Sequence, residues 1–473
     1  MYRGRIEKRI RQRNTPPFSV DARTTAARAE GIAPRLRKVI TKEKAVANGG
    51  EWDRRSLLRG AAVVAGAAAT APLLGKAATA HADSSDADAL FKAGEFERAG
   101  RAYEEILKKD PTNVQAARQR GYVGLLSNRF PEAEKYLTTA LKLAPDDKDT
   151  NRLLGDCYIR QDKFSLAVQR AQAIGNDVYA KWFGALSGEA YQIHGDTARL
   201  PWQQMDPTPL VEGSVNGGPT KRFMFYTGAS WLGLSAAVAK EAGLSAVASQ
   251  KIDYLGGTAW QYFGVLDSFK LGDIELRNIP VEWSDTDTPG GDGIIGTWIF
   301  YHLLTTFDYA GRSLILRRRT PETARKARAA AKRAGAEPLP LWLAFDHMVH
   351  SKGSIAGSGP RVMAVNLGGI GETAASMSGE AATQLQIRTD YDRPLETAAH
   401  SHPVVAYPCY PKEIRLGDAV AKAAYCETTP DMTLTQPWGF DVWAHLAHCF
   451  YKPYNLTLDF TDMNLYIARG KAT

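Results

Sequence analysis

The sequence predicts a mixed α+β protein in which an N-terminal array of helical hairpins precedes a duplicated, two-lobed, all-β domain. A repeat of about 34 residues runs through positions 87–175, and a second repeat relates residues 201–318 to residues 338–473. Around Pro201 the helical pattern changes to short β-branched and aromatic runs separated by glycines. The length of 473 residues and the 44% hydrophobic content indicate two or three globular domains.

The basic charge of the chain is concentrated at its N-terminus. The formal net charge is +8, yet residues 1–82 hold 17 Lys/Arg and 6 Asp/Glu, a balance of +11 that leaves −3 for the remainder. Residues 1–53 are basic and lack periodicity, which is typical of a disordered arm or of an untranslated upstream extension. The remainder therefore offers no electrostatic basis for nucleic-acid binding.

Residues 54–82 resemble a twin-arginine signal peptide. Arg54-Arg55 precedes an Ala/Gly-rich apolar run over residues 60–74, and Ala80-His81-Ala82 has the pattern of a cleavage site. An Arg-rich start of an Ala-rich helix is the alternative. We expect export to the cell exterior, the envelope or the periplasm. No later apolar segment is long enough to span a bilayer, so the mature protein should have no transmembrane segment.

The hairpin array follows from positions that recur at this repeat length. Phe96, Phe130 and Phe164 share one register, and Gly121 and Gly155 are also one repeat apart, where closely packed helices accept only a small residue. These positions resemble three tetratricopeptide (TPR) repeats over residues 87–175. Such arrays bind extended peptides or pack against a neighbouring domain, and both roles remain open.

The two β-rich lobes are related by matching turns. Residues 213–219 are echoed by residues 353–360, an offset of 140, and the turn at residues 270–273 by that at residues 415–418, an offset of 145. Asp308 and Asp459 occupy similar strand endings, at an offset of 151. The lobes are predicted at residues 201–318 and 338–473, joined by a basic helical linker at residues 319–337.

Each lobe resembles an aspartic peptidase lobe of the retropepsin kind. The first has a strand ending in Tyr226-Thr227-Gly228-Ala229, followed later by Gly293-Ile294-Ile295-Gly296 and an apolar helix. With the helical array, the chain resembles bacterial exported proteins of the aspartyl protease family. This resemblance implies one catalytic Asp from each lobe, two carboxylates that share a proton, and a cleft under hairpin flaps.

The sequence departs from that pattern at both catalytic positions. Tyr226 stands where the first lobe should have Asp, and Asn366 occupies the equivalent position before Leu367-Gly368-Gly369. A phenol with a reference pKa of about 10 is a poor general base, and an amide neither gains nor loses a proton near neutrality. We therefore expect no hydrolysis by the standard dyad.

Replacement carboxylates are the first alternative to a lost activity. Asp292, Asp346 and Asp441 lie near the segments that carry the resemblance, and Asp346 adjoins His347. Surface or capping roles are expected for all three carboxylates. A different enzyme, in which Tyr226 acts as an acid and Asn366 as an oxyanion ligand, also remains open.

The resemblance further assigns residues to a ligand cleft and its flap. Thr227, Gly228, Leu367 and Gly368 belong to the two central loops, and Gly256, Gly257 and Trp260 to a flap in the first lobe. An extended peptide is expected to pair with the strand edges there. Trp260 is expected to be less buried than Tyr262.

Cysteine and histidine spacing gives one candidate bridge and no metal site. Cys409 and Cys426 are close in a strand-rich region and form a possible disulfide. The cluster His445-x-x-His448-Cys449 lacks a second ligand pair at standard spacing, so a packed helix is predicted, with no metal and no cofactor.

Three functions follow as hypotheses. The first is an exported pseudo-aspartic-peptidase that binds a peptide or other extended ligand in the cleft without hydrolysis. The second is a divergent aspartic endopeptidase or another enzyme acting through Tyr226 and Asn366 or through replacement carboxylates. The third is a TPR-mediated interaction scaffold. A monomer is expected because one chain supplies both lobes, and the partner is expected to be a protein or peptide.

Overall fold

The computed structural model describes residues 86–254, 257–286, 291–345, 347–367, 372–399 and 402–470. The predicted basic extension and signal peptide, residues 1–53 and 54–82, lie outside the described residues. Among the residues described, no helix combines the length and apolarity that crossing a membrane requires.

The N-terminal part is a series of antiparallel helices that pair as three hairpins, followed by one further helix. Asparagine or aspartate side chains begin several of these helices: Asn113 accepts a hydrogen bond from Ala116 N, and Asp147, one repeat later, from Thr150 N. The helices are α1 at residues 86–92, α2 Phe96–Lys109, α3 Val114–Leu126, α4 Phe130–Leu143, α5 Lys148–Ile159, α6 Phe164–Ala173 and α7 Asp177–Gly184.

Helices α3 and α4 pack closely at Gly121. A Cβ atom at this position would lie 2.6 Å from Leu137 Cγ of the facing helix α4. Any larger residue would push the two helices apart. The role predicted for this repeated glycine is therefore confirmed.

The repeated phenylalanine of the first hairpin packs against the β domain. The Phe96 ring lies 4.8 Å from Trp342 and 4.9 Å from Phe440, both in edge-on contact. Phe130, the same position in the second hairpin, is half-buried. The first hairpin therefore contributes a buried face to the second lobe in addition to its own core.

Helix α7 joins the other end of the array to the first lobe. Trp182 is fully buried, lies 4.6 Å from Phe263 and 5.0 Å from Trp231, and donates a hydrogen bond from Nε1 to Gly264 O at 2.7 Å. The repeat pattern predicts that the array ends at Gly175, because the residues of α7 do not continue the hairpin repeat. The extra helix instead docks the array onto the first lobe.

The first lobe is a sheet with strand order β1-β8-β5-β9-β4-β3-β7-β6. Its elements are β1 Gln192–His194, β2 Thr197–Pro201, β3 Leu210–Val215, β4 Lys221–Phe225, β5 Leu232–Ser235, α8 Ala236–Glu241, β6 Ala248–Tyr254, β7 Gly257–Leu271, β8 Ile274–Ser284, β9 Gly293–Ile295, α9 Thr297–Tyr301, β10 Leu303–Asp308 and β11 Ser313–Arg318.

The second lobe repeats this plan after helix α10, Pro321–Arg333, which lies within the predicted linker. Its remaining elements are β12 Leu339–Pro340, β13 Trp342–Ala344, β14 Met348–Ile355, β15 Ser358–Val365, β16 Ala375–Ser378, α11 Gly379–Gln384, β17 Arg388–Thr389, β18 Leu395–Ala399, β19 His402–Tyr410, β20 Glu413–Leu416, β21 Ala419–Lys422, β22 Cys426–Thr429, β23 His445–Leu446, a 3₁₀ helix His448–Tyr451, β24 Tyr454–Asp459 and β25 Asn464–Arg469.

Equivalent positions in the two lobes share backbone conformations. The turn residues Asn216 and Ala356 have φ of 48° and 52°, and Gly272 and Gly417 have φ of 59° and 56°. The strand pairing also repeats, since β9 pairs parallel with β4 and antiparallel with β5, as β23 does with β15 and β16. These features agree with the internal duplication predicted from the turns.

The two lobes share one six-stranded sheet. Its order is β12-β25-β24-β10-β11-β2, and β10 of the first lobe pairs with β24 of the second from Thr305↔Leu458 to Asp308↔Asn455. Strand β2 begins at Thr197, before the predicted start at residue 201. The lobes are therefore hydrogen-bonded to each other rather than joined only by the linker.

A buried histidine lies where the first hairpin meets the second lobe. His350 has no exposed surface, and its ring lies 5.2 Å from both Trp438 and Phe440. Nδ1 lies 2.9 Å from Met348 O. Burial lowers the pKa of His350 to about 3, with a smaller contribution from His445.

The variant Phe96→Ala tests the contact between the array and the second lobe. The change leaves a cavity beside Trp342 and Phe440, so the free energy of unfolding should fall by about 3–5 kcal/mol in urea denaturation. Phe130→Ala is the matched control, because it removes the same repeat position where the ring is half-buried. Equal losses in the two variants would contradict a contribution from the second lobe.

The low pKa of His350 predicts a loss of stability in acid. Between pH 6.5 and pH 3, this histidine is protonated in the unfolded chain but stays neutral in the folded chain. The free energy of unfolding therefore declines by at most about 1.4 kcal/mol for each unit by which the pH falls. His350→Gln should flatten this part of the profile in urea denaturation at pH 7, 6, 5 and 4. His194→Gln, at an exposed position, is the control, and an unchanged slope in His350→Gln would contradict the assignment.

Candidate functional site

Tyr226 and Asn366 occupy equivalent positions at the ends of two buried strands. Tyr226 follows β4 and donates its backbone N–H to Ile295 O at 3.0 Å, whereas Asn366 follows β15 and donates to Leu446 O at 2.9 Å. Each acceptor lies on the short strand that pairs parallel with the strand before it. The same local pairing therefore carries both residues to the boundary between the lobes.

Thr227 connects the two loops directly. Its hydroxyl donates to Val365 O at 2.7 Å and accepts from Leu367 N at 2.8 Å, and its own N–H donates to Leu367 O at 3.0 Å. Thr227 is 1% exposed and Leu367 is fully buried. Leu367 occupies the position equivalent to Thr227 but has no hydroxyl group. The hydroxyl in this contact between the loops is therefore supplied by the first lobe.

This burial corrects two predicted cleft residues. Thr227 and Leu367 do not present side chains to a ligand, because the polar atoms of Thr227 are used between the lobes and Leu367 packs in the core. Their role is to position the neighbouring residues Tyr226 and Asn366. Gly368 lies outside the described residues.

The aromatic ring of Tyr226 folds back over its own loop. A Cβ atom at Gly228 would lie 2.4 Å from Tyr226 Cζ and 2.5 Å from its hydroxyl oxygen, so only glycine leaves room for the ring. The predicted cleft residue Gly228 is thus the floor under the tyrosine. This arrangement explains how a side chain much larger than aspartate fits the loop.

Tyr226 and Asn366 meet as a neutral pair. Burial raises the pKa of Tyr226 above its usual value, and a hydrogen bond from the Asn366 side chain offsets only part of that effect. Asn366 Oδ1 is buried and has no hydrogen-bond partner among the described residues. The pair offers a hydroxyl and an amide for hydrogen bonding, and neither group is a general base at neutral pH.

Two hairpins, one in each lobe, are called the flaps below, after the flap that the sequence predicts in the first lobe. The first flap is β6 with β7, where Gly257 is exposed and Trp260 is 46% exposed. Trp260 N–H donates to Asp285 Oδ1 at 2.9 Å, which holds the backbone while the indole remains in solvent. The second flap is β18 with β19, paired from Leu395 to Ala399. The predicted flap residue Gly256 lies outside the described residues.

Tyr262 is less exposed than Trp260, as expected. Its ring stacks on Trp283 of the neighbouring strand β8 with a centroid separation of 5.9 Å. The two aromatic residues of this flap therefore differ: Tyr262 supports the hairpin and Trp260 is free to contact a ligand.

Exposed large hydrophobic side chains concentrate at the two flaps. The described residues include five such side chains, and four of them lie on or beside these hairpins. Val247 hydrogen-bonds through its N–H to Phe263 O of the first flap, and Tyr391 lies against Tyr407 of the second at 5.2 Å. The five are Leu143, Val247, Trp260, Tyr391 and Val405.

The predicted replacement carboxylates have structural partners. Asp292 Oδ2 accepts from Arg222 N at 2.8 Å and so caps a strand end. Asp441 Oδ1 accepts from the Thr435 hydroxyl at 2.5 Å, and its N–H donates to Lys92 O of the array. Both side chains serve local backbone geometry, as expected for capping residues. Asp346 lies outside the described residues.

His347 makes a further contact between the lobes. Its Nδ1 lies 2.8 Å from the hydroxyl of Ser230, which follows closely after Tyr226 in the chain. In the sequence, His347 is singled out because it adjoins Asp346, and no spacing indicates Ser230 as its partner. The contact places a titratable side chain close to the central loops.

Cys409 and Cys426, the predicted disulfide pair, are neighbours on adjacent strands. They lie directly opposite each other on β19 and β22, and both are buried free thiols. Burial raises the pKa of Cys426 to about 12 and raises that of Cys409 as well. The thiolate needed for disulfide formation is thereby disfavoured.

The histidine–cysteine cluster also differs from its prediction. His445 lies in strand β23, and His448 begins a 3₁₀ helix rather than continuing one helix with it. The chain brings Asp206 next to His448, with Asp206 Oδ1 3.3 Å from His448 Nε2. This ligand-type partner is 242 residues away, so no local spacing in the sequence indicates it.

Comparison with known proteins agrees with this division of the chain. Two tetratricopeptide repeat family models match residues 86–148 and 124–179, and an aspartyl protease family model matches residues 211–298. No curated protein matches the chain.

Two solved structures match separate parts of the chain. The second TPR of Spaghetti (RPAP3), bound to the HSP90 peptide SRMEEVD, is 24% identical, and the match covers 20% of this chain and 87% of that chain with a TM-score of 0.20. A retropepsin-like aspartic protease from Rickettsia conorii is 18% identical, with 28% and 96% covered and a TM-score of 0.22. The chain combines an N-terminal helical region that matches TPR models with a β-rich domain that matches an aspartyl protease model, in a mixed α+β fold.

The variant Thr227→Val tests the connection between the loops. Valine has nearly the same shape but leaves buried Val365 O and Leu367 N without their hydroxyl partner, so the free energy of unfolding should fall by about 1–3 kcal/mol. Thr227→Ser retains the hydroxyl and should recover most of the loss in urea denaturation. A valine variant as stable as the wild type would exclude a structural role for this hydroxyl.

Proposed function

We propose that this chain is an exported pseudo-aspartic-peptidase, which binds an extended peptide at its two flaps and does not cleave it. The observation that carries this proposal is the concentration of exposed hydrophobic side chains at the hairpins of both lobes. Solvent-exposed indole and aliphatic groups on strand edges suit a ligand that pairs through its backbone and inserts apolar side chains.

The chemistry of the central pair supports binding without cleavage. Peptide hydrolysis by an aspartic dyad requires one carboxylate to activate water while the other donates a proton. Tyr226 is held neutral by burial, and Asn366 carries no titratable proton. The two side chains are suited to hydrogen-bonding a ligand's backbone amides rather than to proton transfer.

In this proposal the helical array serves mainly to support the β-rich domain against which it packs. Arg160, at the end of α5, is 3% exposed and donates hydrogen bonds to Leu343 O and Phe345 O of the second lobe. Arg152 places its guanidinium 4.6 Å from the Phe345 ring centroid. Part of the surface of helix α5 is therefore occupied by this chain's own residues 343–345.

Export and the monomeric state complete the proposal. Export is supported by Arg54-Arg55, the apolar run at residues 60–74 and the Ala80-His81-Ala82 motif. The monomer is supported by the shared sheet, in which β10 and β24 of one chain pair in the way that two subunits would.

The proposal predicts that Trp260 is a main binding determinant. Purified chain is titrated into a library of unstructured decapeptides rich in aromatic and aliphatic residues, with binding followed by fluorescence polarisation. Trp260→Ala should weaken the tightest complexes by about 30-fold, as for a buried interface tryptophan. Leu143→Ala, which removes an exposed hydrophobic residue of the array, should leave the affinity unchanged.

The same peptides report on cleavage. Mass spectrometry after incubation at pH 4 and pH 7 should find them intact with the wild-type chain. Cleavage that pepstatin blocks would show that an aspartic peptidase activity remains. If Trp260→Ala and Leu143→Ala weaken binding equally, the peptide does not bind at the flaps.

A further inference from the structure

Three side chains of the types that bind metal ions come together from two distant parts of the chain. Asp206 lies in the loop between β2 and β3, whereas His448 and Cys449 begin the 3₁₀ helix of the second lobe. One carboxylate oxygen, one imidazole nitrogen and the thiol sulfur lie within 4.8 Å of one another. The cluster thus combines oxygen, nitrogen and sulfur donors across the lobe boundary.

The spacing of these donors is close to that of a tetrahedral zinc site. Bond lengths of about 2.0–2.3 Å place neighbouring ligand atoms about 3.3–3.8 Å apart. His448 Nε2 is already 3.3 Å from Asp206 Oδ1. Side-chain shifts of about 1 Å would bring the whole set to ligand spacing.

The buried histidine is oriented for ligation. His448 has no exposed surface, and its Nδ1 lies 3.4 Å from the Tyr309 hydroxyl, so Nε2 faces Asp206. A partner at the second ring nitrogen is the usual support of a metal-bound histidine.

The cluster already attracts a positive charge. Lys452 Nζ lies 2.6 Å from Asp206 Oδ1 and also hydrogen-bonds to Cys449. The lysine side chain is 34% exposed and the Asp206 side chain 56% exposed, so the ammonium group can move into solvent. Lys452 is therefore an internal competitor for any metal cation at these ligands.

We propose that Asp206, His448 and Cys449 bind one Zn²⁺ ion, which displaces the Lys452 ammonium group. Mixed nitrogen, sulfur and carboxylate donors favour Zn²⁺ over Mg²⁺ or Ca²⁺, which prefer oxygen ligands. Three protein ligands leave the fourth position to water on the solvent side of Asp206. The ion clamps the β2–β3 loop to the second lobe, independently of any peptide at the flaps.

The test is a calorimetric titration of ZnCl₂ into the tag-free full chain after removal of metals with a chelator. One ion should bind per chain. Asp206→Asn and Cys449→Ser, both at solvent-accessible positions, should each weaken binding at least tenfold. Lys452→Met should tighten it severalfold, because the competing ammonium group is gone. Cys157→Ala, at a buried thiol of the array, is the control and should leave the affinity unchanged.

Cobalt gives a second readout that does not depend on affinity. Co²⁺ bound to the wild-type chain should show a thiolate-to-metal absorption band in the near ultraviolet, and the band should vanish in Cys449→Ser but persist in Cys157→Ala. The proposal is wrong if no equimolar binding occurs, if Cys449→Ser keeps the wild-type affinity, or if Lys452→Met fails to tighten binding.

Discussion

Backbone hydrogen bonds between the lobes are the constraint on which the rest of the structure depends. The pairing of β10 with β24 makes one sheet from strands of both lobes, and Thr227 adds hydrogen bonds to Val365 and Leu367 at the centre. Buried backbone groups must be paired, so neither lobe can shift without breaking several of these bonds at once. This constraint brings Tyr226 to Asn366 and Asp206 to His448.

The helical array packs against both lobes. Its first hairpin packs Phe96 against Trp342 and Phe440, and its last helix inserts Trp182 into the first lobe. A TPR hairpin cannot bury its apolar surface alone. Contact with both lobes therefore completes the core of the array, and it also limits the surface that the array can offer to another protein.

The two central loops are held together around an uncharged pair of side chains. Tyr226 fits because its ring lies over Gly228, and the hydroxyl of Thr227 still links the loops. The central pair therefore offers a hydroxyl and an amide for hydrogen bonding. The flaps are a separate feature: Trp260 and Val405 are exposed there, away from the central pair.

The sequence by itself determined the local features of this protein, whereas only the tertiary structure decided which distant residues meet. The register of the hairpin repeat, the turns at Asn216 and Ala356, and the equivalence of Tyr226 and Asn366 are each encoded within short segments, because helix periodicity and left-handed turn conformations are short-range properties. The sheet shared by the lobes, the burial of Leu367, and the approach of Asp206 to His448 across 242 residues follow instead from strand pairing between the lobes. No local pattern carries that information, since the free energy of such contacts comes from the packing of the whole domain. The sequence therefore does not indicate the three candidate zinc ligands as one group, although His448 and Cys449 are adjacent residues.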